Sequence, residues 1–161
     1  PSVMIHEVAL PPEQHAWMYL MTLMGALPGV AILVRKHRHL ADPRGLIAVA
    51  ILLTVMGLVV ALWSVSVWTL GVGLVLFFAG FTALETILPA LVSIFAPATL
   101  RGTAMGIFSS AQFLGVFAGG ALGGNALYWG GYEGLVMAVL GLTLIWLVGL
   151  WRFSHAPVSV A

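Results

Sequence analysis

The sequence predicts an all-α integral membrane protein with five transmembrane helices, and three observations carry that prediction. The composition is 61% hydrophobic and 7% charged, against about 45–50% apolar and about 25% charged residues in soluble domains. With a mean hydropathy of +1.12, the chain cannot clothe itself in polar surface, so its solvent is lipid. Apolar runs of crossing length recur five times along it. All 6 Lys and Arg residues fall in three places between or after those runs.

Residues 1–15 read as the extracytoplasmic end of a preceding span. Residues 1–10 are too few to cross a bilayer, hold His6 and Glu7, and run into Pro11-Pro12. A chain that opens on Pro1-Ser2 reads as a piece of a longer protein. The first span is expected over 16–34, with Pro28 and Gly29 kinking it, as membrane helices tolerate when neighbours re-satisfy the backbone. Arg35-Lys36-His37-Arg38-His39, then Asp42-Pro43-Arg44, make the most charged loop.

From Gly45 to Leu84 no charge occurs. That stretch is about twice the roughly 20 residues that one crossing needs. Ser64-Val65-Ser66, flanked by Trp63 and Trp68, supplies the turn, with both indoles at the membrane interface. The second and third spans are therefore placed at 46–63 and 68–94. A short loop with Pro97 and Arg101 leads to the fourth span, 102–127. Tyr128, Trp129, Gly130, Gly131 and Tyr132 form the next turn. The fifth span, 134–151, ends at Arg152, and 154–161 is a tail. The five-helix bundle thus occupies 16–153.

Orientation follows from charge. With five crossings, the loop from Arg35 to Arg44, the loop before Arg101 and the tail after Arg152 share one side, which takes every Lys and Arg. The other side carries Glu7, Glu13 and Glu133. The positive-inside rule then puts the C-terminus in the cytoplasm.

Several function classes fall away. The scattered basic residues offer no continuous face for nucleic acid. With 0 Cys, neither disulfides nor thiolate metal sites can form. His37, His39 and His155 lack an accompanying acidic ligand pattern, so no metal is expected, and no cofactor. Ser109-Ser110 has no histidine within any span to act as base, and no Gly-Lys-Ser/Thr phosphate loop is present. An enzyme is not expected.

What remains is concentrated in 77–124. Glu85 is a lone carboxylate inside an apolar run, where an ionised acid costs roughly 2.5–3.5 kcal/mol to insert. It reads either as a proton-carrying or cation-binding group, or as an acid that gives one hydrogen bond to a neighbouring helix. Glu85 lies ten residues before Phe95 and Gln112 ten after Gly102. At about 1.5 Å per residue both sit roughly 15 Å from the same loop, so the two are expected at one depth and in reach of contact. Ser109, one turn from Gln112, is a third candidate. Pro89, one turn after Glu85, is a candidate conformational residue. Gly102 and Gly106, and the series Gly115, Gly119, Gly123, repeat every four residues. They predict a face where another helix backbone approaches closely, as static packing, as a sliding surface or, third, as pairing in a self-dimer.

The run APATLRGTAMGIFSSAQFLGVFAGGALGG (96–124) resembles the tenth loop and eleventh helix of the major facilitator superfamily, in its drug/proton antiporter and arabinose-efflux branch. The features are the proline, the Arg101-Gly102 pair, Gly106 and the glycine ladder. FFAGFTALETILPALVS (77–93) is similar to the tenth helix of that branch. The five spans would then be helices 8–12. The loop RKHRHLADPRG keeps basic character and one Asp but departs from the spacing of the Gly…Asp-Arg…Gly-Arg motif common in the family.

The resemblance implies the C-terminal half of a secondary transporter of the cell (inner) membrane, a proton-coupled exporter of small molecules working by alternating access. Its partners would be the lipid bilayer, a small-molecule substrate, protons and the N-terminal helices of the same transporter. Glu85 would carry the proton, and Gln112 would tune it or bind substrate. A non-transporting membrane scaffold or subunit, packed through the glycine face, is the alternative.

Overall fold

Four helices make up the secondary structure of the described residues: α1 Pro12–His37, α2 Arg44–Leu62, α3 Val67–Phe95 and α4 Arg101–Arg152. The computed structural model describes residues 12–37 and 43–152. The segment 1–10, the centre of the charged loop and the tail 154–161 lie outside them. Three of the helices, α2, α3 and α4, are long and apolar enough to cross a membrane.

Local chemistry sets the ends. The carbonyl of Pro43 accepts the first bond of α2, from Ile47 N at 3.0 Å. Ser64, buried in the connection from α2 to α3, turns its hydroxyl back onto the Ala61 carbonyl at 2.8 Å. Ser66 then caps α3: its hydroxyl accepts from Thr69 N, and its own N–H donates to the Thr69 hydroxyl, both at 3.3 Å. This reciprocal box satisfies two amides that would otherwise be orphaned at the helix start. Trp63 and Trp68 flank the turn, both exposed. Pro28 and Pro89 lie inside α1 and α3, whose helical runs continue through them.

α2 and α3 are locked together by glycine. A side chain on Gly57 would run into the backbone of Phe77 and Gly73, and one on Gly73 would meet Ala61 N at 2.7 Å. A side chain on Gly80 would strike Thr54 and the Ala50 carbonyl. Positions 50, 54, 57 and 61 thus meet 80, 77 and 73 in reverse order, so the helices run antiparallel with their backbones in contact. Such close approach gathers dispersion energy where lipid supplies no hydrophobic drive. Below this seam Leu46, Ile47, Ala50 and Ile51 pack on Ala83, Leu84 and Ile87. At the other end Ala61 and Leu70 form a second cluster, joined by Met18 and Tyr19 of α1 and by Tyr132.

α4 spans 52 residues, roughly 78 Å if straight, well beyond the ~30 Å of a bilayer core. It breaks at Gly131, where φ is 57° and ψ −154°, a conformation essentially confined to glycine. The arms 101–130 and 132–152 then lie against each other. A side chain on Gly134 would sit 2.7 Å from the Ala126 carbonyl oxygen, and one on Gly123 3.5 Å from Leu135 Cδ1. In a straight helix residues 123 and 135 would be roughly 18 Å apart. Leu147 and Leu150 of the second arm reach the cluster around Leu46.

The structure sharpens one expectation and adds one feature. The turn over Tyr128–Tyr132 is a single-residue break at Gly131, which alone supplies the conformation needed, with helix on both sides. Among the described residues the close helix seam is at Gly57, Gly73 and Gly80. Around Gly102, Gly106, Gly115 and Gly119 no described atom would come within 4 Å of an added Cβ, and Gly123 meets only the tip of Leu135.

Candidate functional site

α3 and α4 meet where their polar residues meet. The Gln112 amide Nε2 donates to Glu85 Oε1 at 2.6 Å. The two helices extend to the same side of the 96–100 loop as an antiparallel hairpin, each about ten residues in at the pair, which brings these groups to one depth. Glu85 is exposed and Gln112 half-buried, so the carboxyl is held by one partner and still open on its other side.

The backbone beneath Glu85 is unusual as well. In an α-helix the N–H of residue 89 would bond the carbonyl of residue 85. Pro89 has no N–H, so the Glu85 carbonyl loses its helical donor. Side chain and main chain therefore both present acceptor oxygen at this level of α3. Thr86, next in sequence, turns its hydroxyl onto the Thr82 carbonyl at 2.8 Å.

The other candidates are distributed differently. Ser109 is half-buried one turn before Gln112, and among the described residues it bonds to neither Gln112 nor Glu85. Arg101 opens α4 and is exposed, and Gly102 and Gly106 after it have no described atom within 4 Å of an added Cβ. Gly115 and Gly119 lie on the same arm, of which little is buried. His37, His39 and His155 fall outside the described side chains.

Sequence reasoning missed the aromatic group beside the pair. Phe77 and Phe81 stack with ring centroids 5.9 Å apart and planes at 4°. Phe78 meets Phe77 edge-on at 5.5 Å, and Tyr19 of α1 meets Phe78 edge-on at 6.3 Å. Phe81 lies one turn before Glu85 and is 45% exposed. The signal was legible in FFAGFTALE, where Phe77, Phe81 and Glu85 recur at helical spacing.

An all-helical membrane chain carrying a hydrogen-bonded carboxyl between two of its helices has the character of a polytopic transporter segment, and the comparisons agree. The chain is 34% identical over 155 residues, 94% of its length, to the inner membrane transport protein YajR of Escherichia coli K12. It is 38% identical over 76 residues to an uncharacterized transporter of Buchnera aphidicola subsp. Baizongia pistaciae. The chain is thus related to YajR, a member of the major facilitator superfamily. It spans about a third of the length of YajR (34%) and 19% of the Buchnera protein. No family model matches the chain, and no solved structure does.

Proposed function

We propose that the chain forms helices 8–12 of a proton-coupled exporter of small molecules, in which Glu85 exchanges the proton and Gln112 holds it in place. The observation that carries this reading is the Gln112–Glu85 hydrogen bond, a lone carboxyl tied between two apolar helices and open on one side. In such helices ionisable groups are rare and mark ion and substrate pathways. Making and releasing that hydrogen bond would give two states for alternating access to read.

On this reading α1, α2, α3 and the two arms of α4 make five crossings in the inner membrane. The 96–100 loop and the C-terminus face the cytoplasm, in keeping with the one-sided Lys and Arg. Substrate is held between this half and the N-terminal helices of the same transporter, and no bond-making chemistry is performed. Gly115 and Gly119, both exposed, belong to the surface that slides against those helices, with Gly123 at its edge.

The test is efflux by the full-length native protein in energised cells, measured with a panel of fluorescent small molecules. Export that stops when a protonophore collapses the proton gradient supports the reading. Export that continues, or none for any compound at verified expression, contradicts it.

A further inference from the structure

We infer that Arg152, flanked by Trp151, holds the headgroup of an anionic phospholipid whose acyl chain lies along Val148 and Leu147. The inference rests on the reading of the second arm of α4 as a full membrane crossing. The arm 132–152, which follows the break at Gly131, is about 30 Å long at the rise of an α-helix, the thickness of a bilayer core. Arg152 therefore stands where hydrocarbon gives way to headgroups, with the exposed indole of Trp151 beside it at the interface. An open cavity of about 450 Å³ lies here, lined among the described residues by Leu147, Val148, Trp151 and Arg152.

Polarity in this cavity is ordered along the helix. Leu147 and Val148 stand one turn, roughly 6 Å, deeper than Trp151 and Arg152. Leu147 is half-buried and packs against the α2–α3 cluster around Leu46, so one wall is fixed. Val148 and Leu144, one and two turns before Arg152 on the same flank, are exposed and extend an apolar track toward the membrane centre. A phospholipid has the same order, acyl chain inward and phosphate at the end. A guanidinium presents paired N–H donors that match phosphate oxygens, and the indole N–H beside it suits an ester carbonyl. Among the described residues no carboxylate lines the cavity, so the ammonium of a zwitterionic headgroup finds no partner there. An anionic headgroup satisfies the one charge present. A purely apolar partner helix would leave that charge unpaired.

The experiment follows the first phospholipid bound by the delipidated full-length protein, using native mass spectrometry with phosphatidylglycerol and phosphatidylethanolamine as probes. Phosphatidylglycerol should bind more tightly, and Arg152→Gln should weaken it about fivefold, the share of one basic residue at an anionic surface. Arg152→Lys, which keeps the charge, should recover part of that loss. Arg101→Gln removes a charge from the same predicted side of the membrane and should change little, which separates a site from general attraction. Equal phosphatidylglycerol affinity in wild type and Arg152→Gln overturns the inference, as does an equal loss in Arg101→Gln or a preference for phosphatidylethanolamine. Displacement of the lipid by inorganic phosphate alone would also overturn it, since an ion needs no apolar track. The crossing is checked separately: Arg152→Cys should react with an impermeant maleimide only after spheroplasts are lysed. Labelling from outside contradicts the crossing, whereas labelling only after lysis with no phosphatidylglycerol preference removes the lipid site alone.

Discussion

Gln112 donates its amide to Glu85 at 2.6 Å across two helices joined only by a short loop at their far ends. The bond is short, and its partners are 27 residues apart in sequence. A typical intramolecular hydrogen bond contributes about 0.5–1.5 kcal/mol to stability. Replacing Gln112 with Leu should therefore lower the melting temperature only slightly, and on the proposed function it should lower transport about tenfold. Gln112→Glu, which sets two acids against each other, should be more damaging. Initial rates in inverted membrane vesicles check both.

The α2–α3 seam predicts where the fold is intolerant. Gly57→Val and Gly80→Val drive a side chain into backbone rather than into a movable side-chain tip. Overpacking of that kind costs about 1–3 kcal/mol or more, so both variants should melt lower in detergent and express poorly. Gly141 has no described atom within 4 Å of an added Cβ. Gly141→Ala should be neutral or stabilising by up to about 1 kcal/mol.

The reversal at Gly131 is a separate prediction. Gly131→Ala forces a Cβ into a region with φ of 57°, a strain of about 1–3 kcal/mol. Cysteines placed at Gly123 and Leu135 should cross-link readily in the parent and less in Gly131→Ala. Equal cross-linking would mean that the arms meet without this glycine.

Membrane orientation has its own test. Single cysteines at Val65 and Trp129 should react with an impermeant maleimide in intact spheroplasts, and one at Ala98 only after lysis. Labelling of Ala98 from outside would invert the topology.

Much of this organisation was legible in the sequence, for physical reasons that differ by element. The helical membrane class follows from composition, since lipid as solvent leaves a backbone few choices other than helix. The proximity of Glu85 and Gln112 followed from rise per residue, because a short loop forces equal depths on either side of it. Packing partners were harder. The ladder at Gly115, Gly119 and Gly123 is the denser pattern, yet α2 and α3 meet through Gly57, Gly73 and Gly80. Spacing shows that a face is small but not which helix covers it. The small-residue series Ala50, Thr54, Gly57, Ala61 was present and could have been read. The break at Gly131 was hidden among three candidate turn residues with a second glycine beside it. The aromatic group at Phe77, Phe78 and Phe81 went unread because rings in a membrane span look like ordinary lipid-facing bulk until their stacking is seen.

The measurement that tests the central claim most directly is substrate-driven proton movement in proteoliposomes holding the full-length protein or its Glu85→Gln variant. An interior pH dye reads the flux after an outward substrate gradient is imposed. The account predicts proton flux coupled to substrate in the wild type and none above empty liposomes in Glu85→Gln, with both reconstituted to the same level. Coupled flux in Glu85→Gln equal to wild type would contradict it and leave the Gln112–Glu85 bond as a structural tie between α3 and α4.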